Sequence, residues 1–183
     1  MLALGAPAAA LAAGEIRVAL VEGVRVAEVG GGPMVVSDLA GRPLLEDTPT
    51  WVRITRVEGG IAVRGQRASG VRLAPVDVTS LRVGQGQYPG VIEVLPTADG
   101  LAVINEVPFE EYLVGAVKAE AGDRMPLEML KAQAIVARTY AAYHRRLNAG
   151  KRYHIVASTA HQQYRGRVAR DSPAWAAVIE IQG

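Results

Sequence analysis

The chain of 183 residues has no cysteine and three histidines. The first absence excludes a disulfide framework, an iron–sulfur cluster and any thiolate zinc site; the second argues against a histidine-rich metal centre. The one long uncharged stretch, Met1–Gly14, is shorter than the ~20 residues that a hydrocarbon layer requires, so the chain is not expected to span a membrane. Also missing are a phosphate loop, a paired-glycine dinucleotide fingerprint, a Gly-x-Ser-x-Gly elbow and a His-Glu-x-x-His pair. Serine, histidine and aspartate occur, but nothing marks a catalytic triad. No metal and no cofactor are expected.

A further absence is local. From Arg138 to Arg170 there is no Asp or Glu, yet the stretch holds Arg138, Arg145, Arg146, Lys151, Arg152, Arg165, Arg167 and Arg170. Up to Asn105 the signs nearly balance, nine basic residues against ten acidic. A one-signed stretch concentrates anions, so it is either a solvated surface or the seat of a polyanion. It carries no helix-turn-helix, zinc-finger or RNA-recognition motif, and nucleic acid is not the expected partner. A carboxylated sugar polymer fits the same charge.

Half of the residues are hydrophobic, ample for a core in one domain with a modest appendage. Residues 1–14, with seven alanines and three leucines, resemble the apolar core and Ala-x-Ala site of a secretory signal lacking its basic start. The expected location is therefore secreted, in the periplasm or cell envelope. Residues 15–106 alternate short Val- and Ile-rich runs with turn dipeptides: Ile16–Val21, Arg25–Val29, Met34–Ser37, Val52–Val57, Ile61–Val63, Val91–Leu95 and Leu101–Ile104. Glu58-Gly59-Gly60 and Asp99-Gly100 read as hairpin turns. A small antiparallel barrel or sandwich is expected there.

From Val107 the period changes, giving an α+β chain whose second part, residues 107–183, is a helical core centred on one long helix. Pro108 opens a first helix to about Lys118, with Glu110 and Glu111 at the positive end of its dipole. The long helix spans about Pro126 to Leu147 and stops at Asn148 and Gly150. Leu127, Leu130, Ala134, Ala137 and Ala141 form a small-residue stripe for close packing, and Lys131 and Arg138 share another face. A short helix starts at Pro173 behind a Ser172 cap. Between the first two helices, Glu120 sits in Val-Lys-Ala-Glu-Ala-Gly. Enclosure by Ala and Met neighbours would keep its carboxyl protonated, the condition for a general acid; otherwise it is a plain surface group.

The run Asn105–Glu120 (NEVPFEEYLVGAVKAE) resembles the opening signature of the SpoIID/LytB family, the stage II sporulation protein D domain. Glu128–Tyr140 (EMLKAQAIVARTY) is similar to that family's Glu-Ala-Leu-Lys-Ala-Gln-Ala-x-x-Ala-Arg-Thr-Tyr helix, and Gln162–Gly166 (QQYRG) to its Gln-Val-Tyr-x-Gly segment. The resemblance implies a lytic transglycosylase of the bacterial cell wall, cutting peptidoglycan glycan strands stripped of their stem peptides. It puts the catalytic acid on Glu120 and substrate contacts on Lys131, Gln133, Arg138, Gln162 and Tyr164. A lone acid suffices where the sugar's own 6-hydroxyl attacks, leaving 1,6-anhydro-muramic ends. The cations then grip the strand's lactyl carboxylates and must stay off Glu120 itself. The LytB branch implies the alternative, a non-catalytic glycan binder that stimulates an N-acetylmuramoyl-L-alanine amidase. Some members hold zinc with a histidine and two cysteines; here the cysteine places read Val156 and His161, with His154 nearby. Members also continue past Gly183 into further strands, so the chain reads as lacking the family's C-terminal portion.

Overall fold

The computed structural model describes residues 14–159 and 161–181, so all of the signal-like segment but Gly14 lies outside the described residues. Eleven strands come first: β1 (Glu15–Val24), β2 (Val26–Gly30), β3 (Met34–Ser37), β4 (Trp51–Val57), β5 (Gly60–Val63), β6 (Gln66–Ala68), β7 (Val71–Pro75), β8 (Leu81–Val83), β9 (Gly86–Tyr88), β10 (Val91–Pro96) and β11 (Leu101–Pro108). Helices α1 (Phe109–Ala121) and α2 (Leu127–Leu147), a two-residue strand β12 (Ile155–Val156) and helix α3 (Pro173–Glu180) complete the α+β chain.

Two six-stranded sheets result, β12-β1-β11-β10-β7-β3 (sheet A) and β6-β5-β4-β2-β8-β9 (sheet B). They face each other through one core of Val29, Ile54 and Leu81 from sheet B with Val36, Leu73 and Val94 from sheet A. This is the sandwich form of the expectation and not a closed barrel. Both turn dipeptides close hairpins, with Val57 opposite Gly60 and Pro96 opposite Leu101. The strands that the patterning did not single out, β6, β7, β8, β9 and β12, are five residues or fewer, too short to display an alternation.

The other face of sheet A carries the helices. Ile16 and Val18 of β1 pack with Tyr112, Leu113 and Val117 of α1, with Leu130, Ala134, Ala137 and Ala141 of α2, and with Ala177 and Val178 of α3. The alanine stripe is buried as expected, because methyl-sized side chains let α2 lie close to its neighbours. Helix α1 runs three residues past the expected Lys118, since nothing in Ala119-Glu120-Ala121 breaks a helix, and ends at Gly122 with φ 71°. That extension places Glu120 within the last turn of α1. The Ser172 hydroxyl caps α3 by accepting from Ala174 N–H, and it donates to Asp123 at 2.6 Å, tying the α1–α2 turn to α3.

The seam between residues 106 and 107 is crossed twice. Strand β11 runs through it into Pro108, and β12 from the helical part joins sheet A parallel to β1. At that join His154 is buried, its Nδ1 accepting the Arg17 N–H at 3.1 Å while its own N–H donates to Arg17 O at 2.9 Å. Burial, aided by the charges of Arg17 and Arg145, pushes the imidazole down to about 4. The unfolded chain takes up that proton near pH 6.5 and the folded chain refuses it. The contribution of a neutral His154 is therefore complete above pH 6.5 and drains away as pH falls toward about 4. Urea midpoints taken from pH 7.5 to 4.5 are expected to fall less steeply in His154→Asn, which keeps a side-chain acceptor and cannot titrate. Parallel slopes would refute this.

Candidate active site

Glu120 is exposed on the last turn of α1, and its Oε1 accepts the Gln163 N–H at 2.7 Å. Oε2 takes part in no hydrogen bond and the carboxyl in no ion pair among the described residues. The expected enclosure by Ala and Met is not there: Met125 and Met129 are themselves exposed, because the α1–α2 turn projects outward.

What fixes the carboxyl is a relay from sheet A. Asn105 on β11, fully buried, donates to Pro89 O at 2.7 Å and accepts the Tyr164 hydroxyl at 2.9 Å. The Tyr164 ring packs on Tyr112 with centroids 5.0 Å apart. The Tyr112 hydroxyl then donates to Gln162 Oε1 at 2.7 Å, which sets the next residue's N–H against Glu120. Burial first, then the nearby Tyr140 and Glu120, pushes the Tyr112 phenol far up, so it stays a donor at any ordinary pH.

Gly115 makes room for this relay. A Cβ there would sit 2.5 Å from Tyr164 Cε2 and 2.7 Å from the Gly166 carbonyl oxygen. Gly115→Ala is expected to cost about 1–3 kcal/mol by overpacking, read as a lower urea midpoint. It should also shift the backbone amide resonances of residues 162–166; unchanged resonances would refute the relay.

Gln162 and Tyr164, assigned to substrate by the resemblance, are 5% and 4% exposed. Their side chains are buried within the relay that holds Glu120. Lys131 and Arg138 do share a face, but both are engaged: Lys131 with Glu128 at 2.8 Å and Glu180 at 2.6 Å, Arg138 with both Glu110 oxygens at 2.5 and 2.7 Å. Those three acids compete with any sugar carboxylate for the same guanidinium and ammonium groups. The same pairs keep both cations off Glu120. Gln133 is half-buried on α2.

Beside this patch lie residues that sequence reasoning did not assign. The Tyr140 hydroxyl is 3.1 Å from His161 Nδ1, and the His144 ring lies 4.3 Å from that of Tyr140 and 5.4 Å from that of His161. Burial, together with His161, pushes His144 down, so it is neutral near pH 7. The spacing of Tyr140 and His144, one helical turn apart, was the available signal. The residues do not fit the zinc site of some relatives: Val156 has no donor atom and His154 gives its Nδ1 to Arg17.

Residues 97–183 match the family model described as Stage II sporulation protein, SpoIID. This part of the chain is similar to a SpoIID domain. An uncharacterized protein of Brachyspira hyodysenteriae is 39% identical over 82 residues, which make up 44% of this chain and 22% of that protein. The chain thus spans about a fifth of that relative's length. No solved structure matches. The SpoIID match supports a role at the bacterial cell wall, and it begins within the β10–β11 hairpin, so sheet A supplies part of it. No helix among the described residues is long and apolar enough to cross a membrane.

Proposed function

We propose that this SpoIID-like domain cleaves peptide-free glycan strands of peptidoglycan, outside the cytoplasmic membrane where that polymer lies, with Glu120 as the proton donor. The observation that carries the reading is one carboxyl held by the Gln163 N–H, open at Oε2 and free of any cation among the described residues. Because the side chain is exposed, the seated strand itself has to displace water from it. Glu120 then gives its proton to the glycosidic oxygen as the bond to the anomeric carbon breaks. The 6-hydroxyl oxygen of the same sugar bonds to that carbon, and its proton returns to the carboxylate. Atoms balance without water, a second carboxylate or a cofactor.

Digestion of purified peptide-free glycan tests this: 1,6-anhydro-muramic ends are expected, and reducing ends or intact strands would overturn it. The exposure of Glu120 favours a second reading, a non-catalytic glycan binder that stimulates an N-acetylmuramoyl-L-alanine amidase. Strand binding and amidase stimulation with no new chain ends would establish that instead.

A further inference from the structure

We propose that an arginine-lined groove, separate from the Glu120 patch, runs from the outer face of sheet B onto the SpoIID-like domain and holds an extended, carboxylate-bearing glycan strand. Three open hollows adjoin one another through shared lining residues. The first, ≈ 570 Å³, is lined by Trp51, Arg53 and Arg82; the second, ≈ 480 Å³, by Arg82, Thr79 and Arg167; the third, ≈ 290 Å³, by Thr79, Arg167, Arg170 and Trp175. Arg82 is common to the first pair, and Thr79 with Arg167 to the second, so the hollows form one track.

Local structure explains the track. Gly30 on β2 stands between Trp51 on β4 and Arg82 on β8 in the strand register. Lacking a side chain, it lets the indole lie over it; a Cβ would be 3.1 Å from Trp51 Cδ1. Trp51 is nevertheless 52% exposed, the largest apolar ring that sheet B offers to solvent. At the seam, the Arg167 N–H donates to Gln87 O at 2.7 Å, and a Cβ on Gly166 would be 2.1 Å from that oxygen. The loop that carries Arg167 is thereby clamped to β9.

Charge selects the ligand. Arg53 has Glu28 at 4.0 Å, and Arg170 has Glu111 at 3.9 Å while its guanidinium lies 3.8 Å from the centroid of the Trp175 ring. Each hollow also has one acid in its lining, Glu28 in the first, Asp77 in the middle and Glu111 in the third. Arg82 and Arg167 make no ion pair among the described residues. In the middle hollow an anion therefore finds two guanidiniums with no ion-pair partner among the described residues, able to take carboxylates in two-pronged contacts. The exposed indole suits the apolar C–H face of a pyranose ring. A succession of open hollows fits a polymer rather than a compact small molecule. The identity of the polymer rests on the glycan reading above; the track itself rests on these residues.

The chain's two tryptophans both lie on the track, so indole fluorescence of the full chain reports its occupancy. Peptide-free glycan strands are expected to change the emission, and Trp51→Phe to remove most of the change. Arg82→Gln with Arg167→Gln should weaken binding by about tenfold or more, as loss of charge-assisted hydrogen bonds implies, with partial rescue by Lys at both positions. Raising salt from 50 to 500 mM should weaken the parent more than the double variant. Parent-like glycan binding by the double variant, with emission unmoved, would overturn the track and leave the glycan reading intact. Equal affinity for a neutral N-acetylglucosamine oligomer would overturn the role of the arginines. Tighter binding of poly(glycerol phosphate) would assign the track to a phosphate polymer instead. Absence of both binding and cleavage would defeat this proposal and the proposed function together.

Discussion

Glu120→Gln is expected to slow the release of anhydro ends by about 10²–10⁴-fold, the range by which a positioned general acid accelerates such a step. The substitution isolates the proton. Glutamine has nearly the same shape, and its carbonyl oxygen can still accept the Gln163 N–H that Glu120 Oε1 accepts at 2.7 Å. The site is exposed, so the fold has little to lose. Urea midpoint and strand binding should therefore match the parent while turnover collapses. Undiminished turnover would remove Glu120 from the chemistry. A parallel loss of stability would mean that the carboxylate has a structural duty at the α1 terminus. Glu120→Asp draws the carboxyl back by one methylene, and its residual rate measures how much depends on reach.

The second large effect concerns stability. Glu93 on β10 is 4% exposed and bonds the Arg17 guanidinium and, at 2.9 Å, Arg72. Arg72 also bonds Glu106 at 2.6 and 3.2 Å. Those bonds, with Glu106 the larger influence, hold the Arg72 guanidinium even more firmly charged than usual. Glu93→Ala would leave the buried Arg17 and the half-buried Arg72 sharing one carboxylate, and breaking a buried network from one side typically costs about 3–5 kcal/mol. That is a large fraction of the ~5–15 kcal/mol that holds a typical domain together, so the urea midpoint should drop sharply or the chain fail to fold. Glu93→Gln, which keeps one acceptor and a similar volume, should fall between. The pair Arg64–Asp47 is half-exposed on both sides, and Asp47→Asn should barely move the midpoint. Equal midpoints for Glu93→Ala and Asp47→Asn would show that the buried network contributes nothing net.

These two residues differ in how visible they were beforehand. Glu120 stands in a motif and at a helix–turn junction, both properties of consecutive residues. Glu93, one more Glu in an Ile- and Val-rich run, gains its importance only when Arg17 and Arg72, 76 and 21 residues away in sequence, are brought against it. The same distinction runs through the fold. The α2 stripe, both glycine hairpins and the Ser172 cap were legible because each depends on spacing within a few residues. The join of β12 to β1 was not, because two residues carry no period.

The sequence by itself determined the α+β class, the three helices and the placement of the alanine stripe, since local propensity and periodicity decide those, while Glu120 fell inside the last turn of α1 and not between the helices. Tertiary structure alone decided which charges are at liberty. It buried Tyr164 and Gln162, paired Lys131 and Arg138 with acids, left Glu120 exposed, and brought Arg82 and Arg167 from separate halves of the chain to one hollow. Coulombic and hydrogen-bonding partners are chosen by distance in space, and a linear pattern holds no record of that distance.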